Sequence, residues 1–159
     1  VAVAGLTGVV MVTVSSGSDY FCALMEDGTV RCWGAGGALG DGTWLPRSTP
    51  VTVSGLSGAV WISAGGDHTC AVLADGGARC WGSNWSGELG DGTQIARLTP
   101  VPVVGMTAAR QLTGANIGVS CSLLSDETVR CWGSNYHGHL GSGVPFEGSS
   151  TPAPVVGLD

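Results

Sequence analysis

One motif recurs three times along this chain: a cysteine, a polar turn, a second cysteine ten residues on, then Trp-Gly. The copies are CALMEDGTVRCWG from Cys22, CAVLADGGARCWG from Cys70 and CSLLSDETVRCWG from Cys121. Self-similarity with a period of roughly fifty residues means an array of one supersecondary unit, each unit burying its faces against its neighbours. Function is then a property of the array and of whatever its faces touch.

The turn inside the motif organises the cysteines. A three-residue hairpin loop at Glu26-Asp27-Gly28 sets Cys22 directly opposite Cys32 across two antiparallel strands, close enough to bridge. The same construction pairs Cys70 with Cys80 and Cys121 with Cys131. Zinc-ribbon sites favour cysteines two to four residues apart, so the spacing of ten speaks for disulfides, with buried free thiols as the alternative. Disulfides place the protein in an oxidising compartment, either secreted or at the cell surface.

The unit is read from residues 51 to 100. VTVSGL forms a short strand and a turn. AVWISAG follows, with Val60, Ile62 and Ala64 on one face. HTCAVL and GARCWG are the third and fourth strands, and SNWSGELGDGTQIARLTP is a long polar connection. Four short strands and a loop make one blade of a β-propeller. The predicted fold is all-β, with three four-stranded blades: residues 1–50, 51–100, and 101–159 with the start of a fourth unit. In the third turn Glu127 replaces Gly28 and Gly76, at a cost on the order of 1 kcal/mol if the position is left-handed.

The pattern CxLxxDGxVxCWGxNxxGxLGDGT followed by TPxxVxG resembles the repeat of the regulator of chromosome condensation family, most closely its cysteine-paired bacterial form. The resemblance covers essentially the whole chain. It implies a β-propeller, usually of seven blades. For function it implies a range: a nuclear nucleotide-exchange factor, tubulin-related proteins, and secreted proteins that bind other proteins. A fold of this kind does not fix an activity.

Three blades are too few for a closed ring, and the ends carry matching segments. VAVAGL at the start and APVVGL near the end both repeat VTVSGL and VPVVGM. The C-terminal copy reads as a strand that continues into a fourth blade. Val1, Val3, Leu6, Val155, Val156 and Leu158 are therefore the expected assembly residues, packing on another copy of the chain or on further repeats of a longer parent.

Composition excludes some functions. The net charge is -6, and the six Lys+Arg residues are all arginines scattered singly. Nothing tracks phosphates, so nucleic acid is not an expected partner. No run of residues is apolar enough for a membrane span. No catalytic constellation is present, and no cofactor is expected. Asp41-Gly42 and Asp91-Gly92 read as turns, because the Asp-x-Asp-x-Asp-Gly pattern of calcium loops is missing. His68 reads as a hydrogen-bonded turn residue. His137 and His139 are a weak metal candidate, with exposed loop polarity as the alternative. Asn84-Trp85-Ser86 is a formal glycosylation acceptor.

The tryptophans divide. Trp33, Trp81 and Trp132 recur in register and read as blade-packing residues. Trp44 and Trp85, with Tyr136, lie in the variable loops and are the candidates for recognition of an extracellular protein or a glycan, together with His137 and His139. The expected role is a non-enzymatic structural or interaction module whose repeats associate blade to blade, into a filament or a larger ring. The alternative is a secreted ligand-binding propeller, an inhibitor or lectin, that uses the loop aromatics. Nucleotide exchange is disfavoured by the cysteine pairs.

Overall fold

The computed structural model describes residues 3–158; Val1 lies outside them. Twelve strands form three antiparallel sheets. Blade 1 holds β1 (Val9–Val14), β2 (Tyr20–Met25), β3 (Val30–Gly34) and β4 (Arg47–Thr52). Blade 2 holds β5 (Ala59–Ala64), β6 (His68–Leu73), β7 (Ala78–Gly82) and β8 (Arg97–Pro102). Blade 3 holds β9 (Ala109–Ala115), β10 (Val119–Leu124), β11 (Val129–Gly133) and β12 (Ser149–Pro154). Strands follow sequence order in each sheet, and the sheets do not close on one another.

The blades are phased one strand later than the sequence reading placed them. VTVSGL does not open blade 2. Its Val51 and Thr52 end β4 and pair with Cys32 and Arg31. By the same rule Ala153 and Pro154 pair with Cys131 and Arg130 inside blade 3, so the C-terminal copy completes a blade and does not begin a fourth. The unmatched copy is the N-terminal one: its described residues Val3–Leu6 form a turn outside the strands. The reason is covalent. The long loop after Trp-Gly returns the chain to the free edge of the strand it has just left, and the TPxxV segment pairs there.

Each first strand opens with an irregularity, and this also corrects the sequence reading. The register slips between Ala59 and Trp61. A bulge there moves side chains across the sheet, so Ala59, Ile62 and Ala64 are buried while Val60 is exposed.

The core lies between blades. Tyr20, Leu24, Val30 and Val53 of blade 1 pack with Ile62, Ala71 and Trp81 of blade 2. Val72, Leu89 and Val103 of blade 2 pack with Leu112, Leu124 and Trp132 of blade 3. Burial of this apolar surface is the main force holding the array. The structure joins Cys22–Cys32, Cys70–Cys80 and Cys121–Cys131, each pair directly opposed in its hairpin with Cα atoms 4.1 Å apart. Three disulfides indicate an oxidising environment. Among the described residues no helix is long and apolar enough to cross a membrane.

Candidate interaction site

The repeated loop after each Trp-Gly builds the working surfaces. In blade 2, Asn84 is fully buried. Its Oδ1 accepts from Leu89 N–H, and its amide donates to the carbonyls of Thr93 and Ile95 and to Asp91. Asn135 repeats this in blade 3 with Leu140, Val144 and Glu147. Asn84 is thus the pin of its loop, and its amide faces the protein interior, out of reach of a glycosyl donor. The sequence treated Asn84 only as an acceptor triplet. The shared Ser-Asn of the second and third copies was the available signal for the pin.

Asp41 and Asp91 close the same loops. Asp41 accepts from the Thr43 N–H and hydroxyl and from the Arg47 guanidinium. Asp91 does the same with Thr93 and Arg97. Burial by itself would raise these carboxyls, but the hydrogen bonds from threonine and arginine outweigh it and hold both below the usual carboxylate range. Each carboxylate is committed to its own loop.

The loops leave aromatics on one rim. Trp85 and Tyr136 occupy the same repeat position, and both are exposed, Trp85 by 84%. The loop of blade 1 is two residues shorter and lacks this position, its Gly37 matching Gly87 and Gly138. Trp44, from later in the loop, lies over it: a Cβ on Gly37 would come within 2.9 Å of the Trp44 ring. Each blade therefore presents one aromatic by one of two routes. A groove of about 260 Å³ runs between Trp44 and Trp85 over Tyr20 and Asp67, and a second of about 150 Å³ joins Trp85 to Tyr136 and Phe146. His137 and His139 lie edge to face, 5.4 Å apart. Among the described residues no three His, Cys, Asp or Glu side chains converge as a metal site would need.

His68 is not in a turn. It begins β6 and is buried between blades 2 and 3. Its Nε2 lies 2.9 Å from the Ser120 hydroxyl, which donates to the Glu88 carbonyl. Because the Ser120 proton is used, Nε2 carries the donor hydrogen. Burial pushes the imidazole down to about 4, with the neighbouring Asp67 charge opposing. Gly65 and Gly114 lack side chains where the ring lies. These contacts make His68 part of the joint between two blades.

Among the described residues no blade lies against the outer faces of blades 1 and 3. Blade 1 turns Val9, Val10, Val12, Val14 and Phe21 outward. In blade 2 the register equivalent of Val12 is Ile62; Val12 is 59% exposed and Ile62 is 2% exposed. Trp81 and Trp132 are fully buried against the preceding blade, while Trp33 is half-buried and stacks on Phe21 with ring centres 5.7 Å apart. At the other end Leu123, Val129 and Val155 are half-exposed. Of the expected assembly residues, Val3, Val156 and Leu158 are exposed and Leu6 and Val155 are half-buried.

Comparison with known proteins follows this architecture. Regulator of chromosome condensation (RCC1) repeat models match residues 11–38 and 62–88, and residues 27–72. No curated protein matches the chain. Among solved structures, human WBSCR16 superposes with a TM-score of 0.76 at 28% identity, covering 92% of this chain and 37% of that one. Yeast RCC1 (Prp20), in its complex with Kap60, gives 0.77 at 22% identity over 92% of this chain and 35% of that one. Prp20p from Saccharomyces cerevisiae, described with binding to Gsp1p and histones, gives 0.79 at 19% identity over 95% and 39%. The chain thus spans little more than a third of the length of each. The repeat matches and the shared three-blade arc together support the regulator of chromosome condensation repeat family for this chain.

Proposed function

We propose that this chain is a non-enzymatic, extracellular protein-interaction module whose blades associate end to end, into a filament or a larger ring. The observation that carries the reading is the difference between repeats. The positions that are core between blades 1 and 2, Ala59, Ile62 and Ala64, are exposed on the outer face of blade 1 as Val9, Val12 and Val14, beside exposed Phe21 and half-buried Trp33. A patch of this kind on a soluble domain marks an interface. RCC1-type propellers in the neighbours engage proteins, the yeast one being solved with Kap60, which supports a protein partner. The disulfides support a secreted setting.

Light scattering of residues 1–159 over a range of concentrations tests this. The mass is expected to rise with concentration. A mass fixed at one chain throughout would overturn the assembly.

A second reading has its own observation. Two grooves connect Trp44, Trp85 and Tyr136 along one rim, and exposed aromatics stack on sugar rings or peptide segments. Titration with oligosaccharides, read by tryptophan fluorescence, tests it. A signal lost in Trp44→Ala and Trp85→Ala favours a ligand-binding propeller, and an unresponsive spectrum removes the glycan.

A further inference from the structure

We propose that blade 1 of one chain docks on blade 3 of a second copy, with Trp33 of the first filling a preformed socket made by Gly141, Val155 and the His139 carbonyl of the second. The proposal rests on the assembly reading above and names its occupant and its lock.

The lock is seen twice inside the chain. Trp81 donates its indole N–H to the Ala38 carbonyl at 2.8 Å. Its ring lies so close over Gly40 that a Cβ there would come within 2.8 Å of both Nε1 and Val53. Trp132 donates to the Glu88 carbonyl at 2.9 Å, and a Cβ on Gly90 would meet Nε1 at 2.7 Å and Val103 at 2.9 Å. Each socket is shaped by one backbone bond, Ser54 N–H to Gly40 and Val104 N–H to Gly90.

Blade 3 has the same socket without its tryptophan. Val156 N–H bonds the Gly141 carbonyl at 2.8 Å. Gly141 has φ 59°, and a Cβ there would meet Val155 at 2.8 Å with no indole near. The buried pins match as well, Asn135 to Leu140 as Asn84 to Leu89. His139 stands where Ala38 and Glu88 stand. At the other end, Trp33 pairs with Phe21 as Trp81 pairs with Thr69 and Trp132 with Ser120, and among the described residues no blade lies in front of it.

Two further backbone bonds between blades are split between the ends in the same way. Ala59 N–H donates to Gly28 and Ala109 N–H to Gly76; the register equivalents are Val9 on blade 1 and Glu127 on blade 3. Gly42 N–H donates to Leu98 and Gly92 N–H to Ser150; the equivalents are Gly143 on blade 3 and Ser48 on blade 1. One chain therefore carries, on its two outer faces, complementary halves of the tryptophan lock and of these backbone bonds.

Two departures bear on who the partner is. Inside the chain, the Thr69 and Ser120 hydroxyls share the carbonyl that the tryptophan uses. Blade 1 has Phe21 instead, and the receiving loop of blade 3 carries His137 and His139. Inside the chain the side chains at these two positions, Ser86 and Glu88, lie against Gly118, whose register equivalent on blade 1 is Asp19, so the imidazoles would face a carboxylate, a pairing that favours this chain's own blade 1. Glu127 is the second departure. A Cβ at Gly28 or Gly76 would come within 3.0 Å or 2.5 Å of the next blade's backbone, so the hairpin tip must sit further out and the socket carries the contact. The contact joins unlike faces, so it gives a ring if the rotation closes and a filament if it does not.

Two variants and their mixture test the lock. Trp33→Ala keeps its socket, and Val155→Asp keeps its tryptophan. Each alone should remain a single chain at concentrations where the wild type assembles. An equimolar mixture should form a one-to-one pair and nothing larger, by light scattering or sedimentation. Thermal melting and disulfide mapping check folding, and Val155→Gln replaces the aspartate if blade 3 unfolds. Glu127→Gly should assemble at lower concentration than the wild type. A folded Trp33→Ala chain that assembles as the wild type does, or variants that form no pair when mixed, overturns the lock while leaving end-to-end association standing. A wild type that stays a single chain overturns both.

Discussion

Trp33, Trp81 and Trp132 share a repeat position and differ in what lies in front of them. For Trp81 and Trp132 the preceding blade supplies a carbonyl and a glycine-floored slot. Truncating either leaves a large cavity and removes one of the two hydrogen bonds to the carbonyl, so Trp81→Ala should cost about 3–5 kcal/mol. Trp85→Ala, on the exposed rim, should cost less than about 1 kcal/mol. Trp33→Ala belongs with Trp85 in dilute solution, where nothing covers it. Denaturant titrations at low protein concentration measure all three. Equal losses at Trp81 and Trp33 would show that repeat position, not neighbourhood, sets the energetics.

Among the elements, the hairpin is the self-sufficient one. Asp27, Asp75 and Asp126 cap its turn by accepting from the backbone two residues on, and Gly28 and Gly76 take φ 75° and 81° in it. Glu127 takes the same left-handed conformation at φ 69°, which a side chain tolerates less well. Each disulfide then ties strands that already face each other. In the chain-entropy model a loop of this size contributes about 2–3 kcal/mol. Reduction should lower the melting temperature in steps as single cysteine pairs are replaced by serine, and the strand content should survive the loss of one pair. Collapse of the whole array on removal of Cys121–Cys131 alone would mean the disulfides, not the packing between blades, hold it.

Across the whole molecule the blade joints are the points of stress, and His68 makes one of them sensitive to acid. Burial keeps it neutral, with its value lowered from 6.5 to about 4. The unfolded chain takes up the proton first. Stability from this site is therefore complete above pH 6.5 and lost as the pH falls toward 4, by about 3 kcal/mol at most. Below that, Asp27, Asp41, Asp91 and Asp126, all held low by hydrogen bonds, add a further loss as they protonate. Unfolding curves between pH 7 and 4 should slope for the wild type and flatten for His68→Gln. An unchanged slope would place the titration elsewhere.

Local chemistry determined what the sequence could reveal by itself. The ten-residue cysteine spacing around an Asp-Gly turn is satisfied within a dozen residues, so the hairpins, their pairing and the all-β repeat were legible. The phase of the blade was not, because VTVSGL is equally good as the first strand of one sheet or the last of another. The choice depends on which free edge the long loop returns to, and that is a tertiary matter. The same holds for Val60, displaced by a bulge, for His68, which a joint between blades buries, and for Asn84, turned inward as a loop pin. Trp33 and Trp81 read alike in sequence. Only the array decides that Trp81 is core and Trp33 is half-buried, because burial is a property of neighbours and not of residues.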